Sequence, residues 1–170
     1  MLKCRIREAA ESDIPRIIAI EVDAGQAFRS VGMPEVADHR PEAGELREAI
    51  YVHHLWVAEV DGQVVGYVAA DLVDANAHVA QVSVDPVHAG HRYGRQMIEF
   101  VESWGRDRGC SGTTLTTFTT VPWNLPYYAR LGYQVLAGAN MGPELLRISR
   151  FEAGLPGIDG SQRCAMIKAN

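Results

Sequence analysis

The sequence predicts an α/β fold in which helices flank a mixed, mostly antiparallel central sheet, and three observations lead there. β-Branched runs of strand length alternate with apolar stripes at helical spacing. Asp61-Gly62 joins two of those runs as a hairpin. A further run, Val79 to Val84, breaks at Asp85-Pro86 into a glycine-bearing loop that opens a helix. A length of 170 residues suits one domain, 1–170, with a single core.

Residues 3–8 alternate charge with apolar side chains and read as a strand. Ser12-Asp13 supplies capping side chains for a helix whose Ile14, Ile17, Ile18 and Val22 recur at helical spacing. The pattern loosens from Gly25 to Arg40, then resumes as a helix over 41–51 carrying Leu46 and Ile50. Leu55–Val60 and Val64–Leu72 form an antiparallel pair. After Asp74-Ala75-Asn76 comes the strand 78–84, followed by a helix over 91–108 that buries Met97, Ile98, Val101 and Trp104 and ends at Gly109. Thr113–Phe118 is a strand, Asn124–Leu131 a short helix stopped by Gly132, and Tyr133–Leu136 and Arg163–Lys168 are strands. The segment 139–160 holds a helical piece, Glu144 to Ala153.

Composition narrows the function. With 47% hydrophobic and 22% charged residues and no apolar run near the ~18 that span a bilayer, a membrane protein is not expected. The N-terminus lacks the continuous hydrophobic core of a signal peptide. Cys4, Cys110 and Cys164 are odd in number and far apart, which points to a reducing cytoplasm and not to a disulfide framework or a zinc site. His53-His54 has no third ligand, so no metal is expected. A net charge of −5 without a Lys/Arg cluster argues against nucleic acid and is compatible with a cationic substrate.

The stretch Pro86–Gly94 is a candidate anion site, the alternative being a strand-to-helix turn that is plain architecture. A loop that feeds a helix N-terminus presents amides without partners where the macrodipole is positive. Ala89, Gly90 and Gly94 are small enough for close approach of a ligand, and Arg92 and Arg95 add charge for a diphosphate. Neither G-x-G-x-x-G nor a P-loop is present.

Two segments together carry a family resemblance: V-S-V-D-P followed by H-R-Y-G-R-Q-M-I, and N-L-P-Y-Y-A-R-L-G-Y from Asn124 to Tyr133. The chain resembles the GNAT N-acetyltransferase superfamily, which has a Q/R-x-x-G-x-G/A loop after its fourth strand and a late N…Y-x-x-x-G-F/Y motif. Ala89 stands where the family favours Gln or Arg, and Arg92 where it favours the first Gly. A helical φ at Arg92 leaves the loop unstrained; a positive φ would strain it.

The resemblance implies a sheet splayed between its fourth and fifth strands, with acetyl-coenzyme A in the cleft. Pantetheine would pair like an added strand with Val82 and Val84, beside Ser83, while the amides of Ala89, Gly90, His91, Arg92, Tyr93, Gly94 and the adjoining Arg95 hold the pyrophosphate. Asn124 is either a pantetheine contact or the N-cap of the next helix, or both. Tyr128 lies where the family often has a tyrosine near the coenzyme sulfur, suited to protonate the leaving thiolate, with Tyr127 as core; the alternative is that Tyr127, Tyr128 and Tyr133 are all packing aromatics.

Five side chains are candidates for handling the amine. His78 could be the general base, or an ordinary histidine at the start of a strand. Glu21 and Asp23 could bind an ammonium group, or be solvated acids at a helix end. Gln81 and Ser83 either meet a substrate or face the other side of the sheet. The expected activity is acetyl transfer from acetyl-CoA to a primary amine of a small molecule in a ternary complex. A protein or peptide acceptor, or a non-catalytic acyl-CoA-binding regulator, are the alternatives. No nucleic-acid or membrane partner is expected, and a homodimer is the assembly considered.

Overall fold

The computed structural model describes residues 3–170. Its strands are β1 (Arg5–Glu8), β2 (Leu55–Val60), β3 (Gln63–Val73), β4 (Asn76–Val84), β5 (Gly112–Phe118), β6 (Gln134–Leu136) and β7 (Arg163–Ala169). Its helices are α1 (Ile14–Gly25), α2 (Pro34–Ala37), α3 (Ala43–Tyr51), α4 (Tyr93–Arg106), α5 (Leu125–Arg130) and α6 (Pro143–Ala153). The seven strands follow the order β1-β2-β3-β4-β5-β7-β6, antiparallel in every described pair except β4 with β5, which is parallel. This is the mixed, mostly antiparallel sheet with flanking helices that the sequence predicts. No helix among the described residues is long and apolar enough to cross a membrane.

The chain divides into two compact units, one of residues up to Ala70 with Ala80–Phe100, the other of Asp71–Val79 with Val101–Asn170. In the first unit, β2 and β3 turn through Asp61 and Gly62, both at positive φ (50° and 77°), the type I′ geometry that matches strand twist. α1 places Ile17 and Ile20, both fully buried, on a core with Leu46, Leu55, Val57 and Tyr67. Each such side chain contributes roughly 1.5–3 kcal/mol of burial. Glu21 follows Ile17 by one turn and therefore leaves α1 beside that buried stripe.

In the second unit β5 lies between β4 and β7, and the β4–β5 ladder consists of Ala77, His78 and Val79 against Thr113, Thr114 and Leu115. β5 runs on to Phe118 paired with β7. The N-cap of α6 is Gly142, which has no capping side chain, and the helix is capped instead by Asp74 from the β3–β4 turn. The Asp74 carboxylate accepts from Glu144 N (3.0 Å) and Leu145 N (2.8 Å), and Glu144 Oε2 accepts from Asp74 N (2.6 Å). A Cβ on Gly142 would lie 2.2–2.6 Å from that carboxylate, so a side chain there would displace the cap.

Local expectations are corrected in three places. Asp13 does not cap α1 with its side chain; its carboxylate accepts from Ala10 N and pairs with Arg7 (2.8 Å). The loosened stretch is a 3-10 turn, Gln26–Val31, followed by α2. The helix expected over 91–108 begins at Tyr93, leaving His91 and Arg92 in the loop.

Candidate active site

The first unit contains the loop from Asp85 to Gly94. Asp85 anchors it: its carboxylate accepts from Val87 N (3.1 Å) and pairs with Arg16 of α1, while its amide donates to Val65 O (2.8 Å). Burial works against the Asp85 charge, but Arg16 and the Val87 amide outweigh it and hold the carboxyl below its usual range. A 3-10 turn, Pro86–His88, carries the chain outward. Gly90 sits at φ 84° and Arg92 at φ 63°, and the chain then enters α4 with Tyr93 buried. Arg92 thus takes the strained left-handed conformation, in the position where the resembled family has glycine.

Among the described residues, the amides of Gly90, His91, Arg92, Tyr93 and Gly94 meet no backbone acceptor, while that of Gln96 donates to Arg92 O (3.1 Å). The Ala89 amide departs from its expected role, because it already donates to Pro86 O (3.1 Å) within the 3-10 turn. Arg95 lies on the exposed face of α4 and pairs with Glu99 (2.7 Å). The run of open amides at the start of a 14-residue helix fits an anionic diphosphate.

In the same unit, a polar centre forms around Glu21. Its Oε2 accepts from Tyr67 OH (2.8 Å) and Ser83 Oγ (2.5 Å), and its Oε1 from Gln81 Nε2 (2.8 Å). Gln81 and Ser83 alternate along β4 with Val82 and Val84, so they turn one face of the strand toward α1. Burial, then the charge and hydrogen bond of Glu21, keep the Tyr67 phenol protonated far above the ordinary tyrosine value.

The second unit explains the late motif physically. α5 ends in a Schellman turn: Gly132 N donates to Ala129 O (3.0 Å), Tyr133 N donates to Tyr128 O (3.1 Å), and Gly132 takes φ 96°. The accompanying contact is aromatic, with the Tyr133 ring edge-on to Tyr128 at 6.3 Å between centroids. Tyr133 is fixed in turn by donating to Glu102 Oε1 (3.0 Å), a carboxylate also held by Lys168 Nζ (3.0 Å). Gly132 and Tyr133 therefore orient Tyr128. Its hydroxyl has no protein partner among the described residues, and burial, with a smaller effect of Tyr127, pushes its pKa up to about 12. Asn124 precedes α5 but makes no side-chain capping bond, so its amide group also has no partner in the described protein.

His78 is buried, with Nδ1 2.9 Å from Thr114 Oγ1, and its pKa is lowered by burial against the opposing pull of Glu152 and Asp71. On β5, β7 and α6, Thr116 Oγ1 donates to Glu152 Oε2 (2.6 Å) and Arg163 Nη2 donates to the same oxygen (2.5 Å), with Arg163 also over the Phe118 ring. Sequence reasoning missed this cluster, the Arg16–Asp85 pair and Tyr67. Their partners are separated by 11 to 69 positions, and no local spacing encodes them.

The Acetyltransferase (GNAT) family model matches residues 8–133. The fold is similar to the PaiA N-acetyltransferase from Thermoplasma acidophilum, crystallised with coenzyme A, at 11% identity and TM-score 0.71 over 99% of both chains. It is similar to the ribosomal-protein-S18-alanine N-acetyltransferase from Escherichia coli, at 12% identity and TM-score 0.68, covering 98% of this chain and 94% of that one. It also matches N-acetylglutamate synthase from Neisseria gonorrhoeae, crystallised with coenzyme A and N-acetyl-glutamate, at 20% identity and TM-score 0.73, covering 98% of this chain but 35% of that one. With the family model spanning the strand–loop–helix unit and ending at Tyr133 of the late motif, the chain belongs to the acetyltransferase (GNAT) family.

Proposed function

We propose that this protein transfers the acetyl group of acetyl-CoA to a primary amine of a small molecule. The observation that carries the reading is the run of unpartnered amides from Gly90 to Gly94 at the start of α4. Acetyl-CoA supplies the acyl group as a thioester with a good leaving thiolate. The Gly90–Gly94 amides bind the pyrophosphate, and the backbone of Val82 and Val84 on β4 pairs with the pantetheine arm. The Asn124 amide contributes a further hydrogen bond to that arm.

Tyr128 is the acid. Burial, which raises its pKa to about 12, keeps the phenol protonated, and its O–H donates toward the sulfur as negative charge develops there; the unpartnered hydroxyl supports this role. His78 is the base. Burial keeps the imidazole neutral, and in the tautomer whose Nδ1–H donates to Thr114 Oγ1 the lone pair of Nε2 takes the proton from the attacking amine, directly or through water. Alignment of amine and thioester provides much of the acceleration. All three cysteines are free thiols, which supports a reducing cytoplasmic setting.

The test is thiol release from acetyl-CoA by the purified protein against amino acids, polyamines, aminoglycosides and short peptides. Amine-dependent release with a small molecule is expected. Preference for peptides alone would assign a protein acceptor, and stabilisation by acetyl-CoA without release from any amine would assign a regulatory domain.

A further inference from the structure

We infer that Glu21 is the counter-charge that holds the acceptor as an ammonium ion, rather than the base, and that Tyr67, Ser83 and Gln81 position it; this rests on the acetyltransferase reading above. The mechanism leaves Tyr67 without a task, yet its 2%-exposed phenol comes from β3 to donate to a carboxylate that is itself only partly buried. Ser83 and Gln81 come from β4 to the same carboxylate.

A carboxylate offers about four lone-pair sites. Tyr67 and Ser83 occupy both on Oε2, and Gln81 occupies one on Oε1, so a single acceptor position on Oε1 stays open. An ammonium N–H fits that position without disturbing the other bonds, and a charge-assisted bond results. The arrangement is therefore built to receive a donor and keep its own geometry, which suits a binding group.

Ser83 lies between Val82 and Val84, the residues assigned to the thioester arm. The carboxylate thus sits one side chain away from that stretch of β4. The acceptor class is an amine that is cationic in water, recognised by its charge, which then gives its proton to a separate base.

Ethylamine, protonated near neutral pH, and 2,2,2-trifluoroethylamine, neutral there, separate the two roles. Thiol release is followed with each amine for the native protein, Glu21→Gln and Tyr67→Phe. Glu21→Gln is expected to raise KM for ethylamine about tenfold or more. It should leave KM for trifluoroethylamine and for acetyl-CoA, and the acid limb of the kcat pH profile, in place. Tyr67→Phe should raise the ethylamine KM by a smaller factor with kcat retained, a split that simple loss of packing would not produce.

Loss of the acid limb together with collapse of kcat for both amines would make Glu21 the base and overturn the inference. So would an unchanged ethylamine KM, or no release with ethylamine from a protein that acetylates other amines. Silence across the whole amine panel would instead overturn the underlying acetyltransferase reading, and this inference with it.

Discussion

Gly132→Ala isolates what the late motif does. Gly132 stands at φ 96°, and a Cβ there would meet only Lys168 Cε at 3.5 Å and Cδ at 3.7 Å, ordinary contact distances. Crowding therefore contributes little, and the cost is conformational. Forcing an L side chain into the left-handed region costs about 1–2 kcal/mol, offset by about 0.4–1 kcal/mol from a stiffer unfolded chain. A net loss of about 1 kcal/mol lowers Tm by about 2–4 °C for a domain of this size.

The functional effect should exceed the thermal one. Relaxing the turn frees Tyr128, whose carbonyl accepts from Leu131 N and Tyr133 N and whose ring rests against Tyr133. Thiol release should show kcat falling severalfold while KM for acetyl-CoA changes little. Gly132→Asn, which tolerates positive φ better, should lie between the two. A Gly132→Ala protein with native Tm and native kcat would refute the idea that this turn sets Tyr128.

Tyr128→Phe should lower kcat more than coenzyme affinity, read by thiol release alongside acetyl-CoA titration; an unchanged kcat removes the acid role. Asp74→Ala strips the cap from α6 and should cost about 1–2 kcal/mol in chemical denaturation. Gly142→Ala drives out the same carboxylate, so the double variant should be less destabilised than the sum of the singles, whereas additivity would refute the shared cap.

The folded-state pKa of His78 lies below its unfolded value of about 6.5, so protonation favours the unfolded chain. Stability should be full above about pH 6.5 and fall as the pH drops below it, and His78→Gln should flatten that slope; a slope the variant leaves unaltered contradicts the assignment. Asp13, held down first by Arg7, and Asp85, held down by Arg16 against its burial, carry the opposite kind of dependence. Their contribution is present above about pH 4 and is lost as the pH falls through their depressed values. Arg16→Met should remove the Asp85 part of that acid loss.

The legible parts of the fold were those written in local signals. Asp61-Gly62 encodes its own turn through positive φ, and Leu55–Val60 forms a strand with the boundaries its β-branched run suggests. Gly132 and Tyr133 encode the Schellman turn within a few residues, which is why the late motif is recognisable in the sequence alone. Asp13 misled because its side chain found Arg7 across the β1–α1 connection, a pairing decided by tertiary placement and not by capping preference. Tyr67 gave no sign of its role: within the continuous apolar run of β3 it reads as core, and only the arrival of Glu21 from α1 makes its hydroxyl informative. The φ of Arg92 was equally unreadable, since an arginine ordinarily argues for the right-handed conformation it does not adopt.

The central claim is that backbone donors at the start of α4 hold the coenzyme. Titration of acetyl-CoA into 15N-labelled protein, with the amide resonances of Gly90, His91, Arg92, Tyr93 and Gly94 followed, tests it most directly. Those resonances should shift together and saturate, with the Ala89 amide moving less because it already donates to Pro86 O. Saturable binding that leaves all five unmoved, or no binding at all, would contradict the account.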